Sequence, residues 1–188
     1  LIPIVYGHTE SLRKQAELFE VQVKIQATDD PEKATPGALY CMDIADTMPD
    51  PDWGQPHADA GDFARRSLEA AVKDLAGTKV DVLVTAPINK DTIQGGSFKF
   101  PGHTEYLADV AGVDEVLMIL ATEALRVGVV TGHVPLKDVS ARLSKGAIIT
   151  KAKLLHESLG RDFGVASPRI AVLGLNPHAG DNGLIGEE

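Results

Sequence analysis

The chain has 188 residues, 44% of them hydrophobic, enough for the core of one ordinary domain or of two small lobes sharing a sheet, which argues against disorder throughout. Its 18 Lys and Arg against 27 Asp and Glu leave a formal charge of −9, which repels nucleic-acid backbones but still allows a small anionic substrate held by a few local donors. The single cysteine, Cys41, excludes an internal disulfide and a multi-thiolate metal site and fits a reducing, cytoplasmic setting; no apolar run nears the roughly 20 residues that span a bilayer.

Residues 2–6 are apolar and β-rich and predict a first strand, running into Gly7-His8-Thr9. Thr9 is the expected cap of an amphipathic helix over residues 10–19. The sequence opens in that strand without an initiator Met and without a signal-peptide pattern, so it is expected to begin inside a longer protein. Residues 21–25 alternate apolar and polar, as a half-buried strand should. Residues 29–58, rich in Pro and Asp, read as an irregular excursion with one strand candidate at 38–44, where Cys41 sits, and with Trp53 packed inside it. From Asp59 a helix is signalled by Ala64, Leu68, Ala71, Val72 and Leu75 on one face, with Asp59 or Asp62 as its cap and Gly77 at its end.

Residues 80–84 predict a compact apolar strand, broken by Thr85-Ala86-Pro87. Residues 115–121 and 125–131 are strand-like and so closely linked that they predict an antiparallel hairpin. A second amphipathic helix carries Ile148, Ala152, Leu155 and Leu159 on one face, and residues 170–175 predict a last strand. Strands alternating with helices imply a layered α/β fold with a mostly parallel sheet and one β-hairpin.

Three of these strands run into polar loops, and open α/β sheets bind ligands beyond the carboxyl ends of their strands. His133 and His178 stand where two such loops begin. Neutral imidazole is the commonest side-chain ligand of divalent transition metals, so the pair can share an ion, although a loop histidine also serves as a solvated turn residue. In Phe100-Pro101-Gly102-His103-Thr104-Glu105, Thr104 is the expected cap of a helix through Tyr106, Leu107 and Val110. His103 beside that helix start can meet an anion or remain an exposed turn residue. His8, His57 and His156 read as structural or exposed, Lys90 as a possible anion contact, and Asp181, Glu187 and Glu188 as a solvated acidic tail. G-x-G-x-x-G, a P-loop and a recognisable Ser-His-Asp context are all absent from the sequence.

Taken in order, residues 84–90 (VTAPINK), 100–108 (FPGHTEYLA), 121–127 (ATEALRV), 131–136 (TGHVPL) and 174–180 (GLNPHAG) resemble the 4-hydroxythreonine-4-phosphate dehydrogenase, or PdxA, family of vitamin B6 synthesis. The resemblance covers essentially the whole chain and is strongest from about residue 80. It implies a two-lobed α/β fold like that of isocitrate and isopropylmalate dehydrogenases, which bind NAD without the Rossmann glycines. It implies metal ligands at His133 and His178, substrate contacts at His103 and Thr104, and a homodimer with a shared active site. The residues that hold the cofactor stay unassigned. The implied reaction is metal-dependent oxidation and decarboxylation of 4-phosphooxy-L-threonine, with NAD or NADP as hydride acceptor and Zn, Mg or Co as the ion.

Relative to the family pattern, an early Gly- and Pro-containing motif, a third metal-binding His and later Lys, Asn and Arg contacts are missing. The 188 residues are therefore expected to be the central portion of the enzyme, inactive alone. Rival readings are a sister dehydrogenase of a phosphorylated sugar acid, such as a phosphothreonate or phosphoerythronate, and a non-catalytic paralogue that binds a phosphorylated ligand. An acyl-phosphate transferase on a related fold would leave the two strand-end histidines without a metal role.

Overall fold

The computed structural model describes residues 1–48, 54–94, 98–178 and 181–184; Trp53, Glu187 and Glu188 lie outside the described residues. The chain divides into two compact units, Leu1–Ala111 and Gly112–Glu188.

The first unit opens with strand β1 (Ile4–Gly7), helix α1 (Thr9–Leu18), strand β2 (Ile25–Ala27) and, after a short 3-10 turn at Pro31–Lys33, strand β3 (Leu39–Asp43). The strands form one parallel sheet in the order β1-β3-β2, with Ile4 opposite Tyr40 and Ile25 opposite Leu39. A central parallel strand is covered on both faces, and β3 accordingly buries Tyr40 and Cys41. The strand expected over 21–25 is displaced: β2 begins at Ile25 and continues to Ala27, with the Lys24 carbonyl ahead of it accepting the Leu39 N–H at 2.9 Å.

The expected cap is also corrected. Thr9 is the first helical residue and is buried; its N–H and its hydroxyl both donate to the Asp43 carboxylate at the end of β3, the hydroxyl at 3.0 Å. The capping acceptor is the His8 side chain, which takes the Ser11 N–H. A carboxylate at a helix N-terminus also meets the positive end of the helix dipole, so β3 and α1 are tied electrostatically as well as sterically.

Helix α2 (Ala58–Ala76) follows, ending at Gly77 as the sequence predicts. It buries Leu68, Ala71 and Val72 on the expected face. Neither Asp59 nor Asp62 caps it: the N-cap position is His57, which makes no side-chain capping bond, while Asp62 is drawn to Arg65 at 2.7 Å. Leu68 and Val72 meet Ile93 and Phe98 in the core, with Leu83, Ile88, Phe100, Tyr106 and Leu107 packed around them. Phe98, Phe100 and Tyr106 contact one another at centroid separations of 5.4–5.5 Å, a spacing at which ring edges meet ring faces.

The strand expected over 80–84 does not form among the described residues. Leu83 turns onto the core, but Val82 and Val84 are 65% and 88% exposed. Valine-rich composition describes fitness for a pleated, half-buried surface, and the ladder itself requires a hydrogen-bonding neighbour. Two further helices close this unit, α3 (Lys90–Ile93) and α4 (His103–Ala111).

The second unit contains the predicted hairpin, β4 (Ile119–Ala121) antiparallel to β5 (Arg126–Gly128), with Leu120 opposite Val127. Thr122 closes its turn by donating its N–H to the Leu125 carbonyl at 2.8 Å. After a 3-10 turn at Leu136–Asp138 come helices α5 (Val139–Arg142) and α6 (Lys145–Arg161), the latter capped by Ser144 Oγ on the Ala147 N–H at 3.1 Å. Helix α6 lies on β5, where Gly128 leaves room for Leu155 and Leu117. The strand expected over 170–175 is absent among the described residues, with Val172 and Leu173 63% and 87% exposed.

Candidate functional site

In the first unit the chemistry-bearing loops are fixed by the core beneath them. Ile88 packs inward, and Asn89 then uses its side-chain oxygen to accept the N–H groups of Asp91 and Thr92 at 3.0 and 3.1 Å. This N-cap starts α3, leaves Lys90 exposed at its first position, and delivers Ile93 into the core at 1% exposure. The other side of α3 is held by Gly61 of α2, whose absent side chain lets the Thr92 backbone approach: a Cβ there would lie 2.2 Å from the Thr92 carbonyl oxygen.

The Phe100–Glu105 loop is anchored by its aromatic and by buried Gly102. Thr104 is not the cap. The Gly102 carbonyl accepts the Tyr106 N–H at 3.3 Å, so α4 begins at His103, and Thr104 sits one residue inside its first turn. His103 is half-buried and Thr104 exposed, both beside the free N–H groups of the helix start. A side chain at Gly102 would come within 3.9 Å of Lys90 Cε and 3.5 Å of Glu105 Oε2, so the lysine stem reaches the same loop. Lys90 and the Glu105 carboxylate thus both border Gly102, beside the free N–H groups of the helix start; the cation and these donors suit a phosphate or carboxylate, and Glu105 opposes one.

A separate groove of about 360 Å³ runs between α2 and the loop before α3, lined in part by His57, Gly61, Ala64, Pro87, Asn89 and Thr92; neither His103 nor Thr104 lines it. His57 and Gly61 carry little sequence signal for this role. The capping role of Asn89 was available from an Asn standing just ahead of a short helical segment.

In the second unit both metal-ligand candidates sit on exposed turns. His133 follows the Gly132 bend, where the Val134 N–H returns to the Gly132 carbonyl at 3.0 Å. His178 is presented by an Asx turn, its N–H donating to Asn176 Oδ1 at 2.9 Å. Neither imidazole has a hydrogen-bond partner among the described residues, so both ring nitrogens are open to a ligand. Among those residues no three His, Cys, Asp or Glu side chains converge to hold an ion. Two neutral imidazoles fit a divalent transition metal by chemistry, but catalytic sites usually take three protein ligands, so the described set is incomplete.

A family profile described as pyridoxal phosphate biosynthetic protein PdxA matches residues 1–188. The chain is 38% identical over 185 residues to a 4-hydroxythreonine-4-phosphate dehydrogenase of Sulfurihydrogenibium sp. (strain YO3AOP1), covering 98% of this chain and 57% of that one. It is 39% identical over 186 residues to a D-threonate 4-phosphate dehydrogenase of Cupriavidus necator, covering 98% and 56%. A crystal structure of a 4-hydroxythreonine-4-phosphate dehydrogenase from Burkholderia phymatum superposes with a TM-score of 0.82 at 36% identity, covering 98% of this chain and 56% of that one. The chain thus spans little more than half the length of these relatives.

Proposed function

The chain belongs to the PdxA family of pyridoxal phosphate biosynthetic proteins, and from that membership we propose that it is the central portion of a two-lobed, NAD- or NADP-linked dehydrogenase acting on 4-phosphooxy-L-threonine. The observation that carries this reading is the family match over the entire chain, with the five loop motifs in order. The isocitrate and isopropylmalate dehydrogenase-like architecture and the homodimer with a shared active site belong to the same proposal. No described helix is long and apolar enough to cross a membrane.

His103 and Thr104 would contact the phosphorylated substrate, with Lys90 adding positive charge to the same loop. His133 and His178 would hold a divalent ion together with a ligand beyond the described residues. When bound, such an ion supplies a fixed positive charge that stabilises developing negative charge on a substrate oxygen during oxidation and the following decarboxylation. The exposed turns around His133 and His178 keep their ring nitrogens available, and the Asx turn fixes where the His178 side chain leaves the backbone.

The test uses the full-length enzyme. His133→Ala and His178→Ala should each lower bound metal, measured by elemental analysis, and abolish metal-dependent turnover. His103→Ala should raise KM with metal content unchanged. Retention of both metal and rate in His133→Ala would sink the ligand assignment. A second reading, a dehydrogenase of a phosphorylated sugar acid, rests on the similarity to one D-threonate 4-phosphate enzyme, and comparing kcat/KM for amine- and hydroxyl-bearing substrates decides between them.

A further inference from the structure

The segment Asp181-Asn182-Gly183-Leu184 closes a tight reversal. The Leu184 N–H donates to the Asp181 carbonyl at 3.2 Å, and the central residues Asn182 and Gly183 have φ of 57° and 88°. Positive φ at both central positions is the signature of a type I′ turn, which Asn-Gly favours because glycine has no Cβ to clash and asparagine tolerates the left-handed region. Both residues are exposed, and neither the Asn182 carboxamide nor the Gly183 N–H has a hydrogen-bond partner among the described residues. An Asn followed by Gly sets an unshielded backbone nitrogen beside its own side-chain carbonyl carbon.

We propose that Asn182 is a modification site: it cyclises and deamidates to aspartate and isoaspartate, adding one negative charge to the turn whose Asp181 N–H donates to the His178 carbonyl. The Gly183 nitrogen loses its proton and attacks Asn182 Cγ. The new C–N bond forms as the Cγ–NH2 bond breaks, and ammonia leaves. Water then opens the resulting five-membered imide at either carbonyl, giving the normal or the isomerised backbone. No electrons are transferred and only solvent water is consumed.

The remaining asparagines are closed to this route. Asn176 precedes Pro177, whose nitrogen carries no hydrogen. Asn89 is engaged by the N–H groups of Asp91 and Thr92, and the nitrogen after it belongs to the first residue of α3. The isomerised product lengthens the main chain by one methylene. That lengthening breaks the turn whose preceding hydrogen bond, Asp181 N–H to the His178 carbonyl at 3.0 Å, ties it to the histidine.

The experiment incubates the folded chain at mildly alkaline pH beside a synthetic peptide of residues 176–184, followed by peptide mapping and enzymatic detection of isoaspartate. The expected result is exchange of NH2 for OH at Asn182, faster as pH rises, and in the folded chain within about tenfold of the peptide rate, as an unprotected segment should be. Asn182→Gln should remove it. Protection of Asn182 beyond about tenfold relative to the peptide, or modification appearing at Asn89 instead, would overturn the proposal.

Discussion

The Tyr6 hydroxyl donates to Asp74 Oδ2 at 2.9 Å where β1 meets α2, and Lys79 lies 3.7 Å from the same buried carboxylate. Burial first, then the hydrogen bond and the negative charge of Asp74, push the phenol well above its ordinary value of 10. Above pH 10, therefore, the unfolded chain releases this proton while the folded chain keeps it. The folded state then binds more protons, and its stability falls as pH rises; below pH 10 the contribution is fully present. Tyr6→Phe should cost about 1–3 kcal/mol at neutral pH, because it removes a donor from a buried carboxylate. It should also flatten the alkaline loss, both read from urea midpoints at neutral pH and above pH 10. Single-residue roles were the least legible from sequence. Thr9 has a capping side chain, yet Asp43, distant in sequence, captures it and leaves the cap to His8. Thr104 likewise loses the cap position to Gly102, because α4 starts two residues earlier than its hydroxyl suggested.

Between elements, the contact of α2 with α3 depends on what Gly61 lacks. Its Cβ position is 2.2 Å from the Thr92 carbonyl oxygen and 2.4 Å from the carbonyl carbon, and backbone cannot step aside as a flexible side chain can. Gly61→Ala should destabilise the chain by about 1–3 kcal/mol, the usual effect of overpacking, despite alanine's better helix propensity. Thermal melting decides this: an unchanged or raised Tm would mean that α3 relaxes freely. Helices α2 and α6 were legible because their apolar residues recur at helical spacing, which requires no distant partner to become a stripe. The hairpin was legible because its strands are neighbours in sequence. Residues 80–84 and 170–175 have strand composition as well, but pairing is a property of two segments, and neither run forms a ladder with a neighbour among the described residues.

At the scale of the molecule, each unit carries an apolar run that is exposed and unpaired among the described residues: Val82 and Val84 in the first, Val172 and Leu173 in the second. Exposed β-prone runs recruit other chains. The 188-residue chain should therefore self-associate with rising concentration and bind a hydrophobic dye. Val84→Thr with Leu173→Thr should reduce both, as measured by sedimentation and fluorescence; equal association in wild type and variant would count against these runs as the cause. Of the site, the loops and their candidate side chains were visible in the sequence. The anchoring was not, because Gly61 against Thr92 and the lysine stem beside Gly102 are meetings across sequence distance. The sheet of the first unit also holds a natural reporter. Cys41, the single cysteine, has no exposed surface, and burial pushes its thiol upward, away from the reactive thiolate. An alkylating reagent can reach it only when β3 parts from its neighbours, so labelling kinetics at this one sulfur would time the opening of the parallel sheet without any engineered probe.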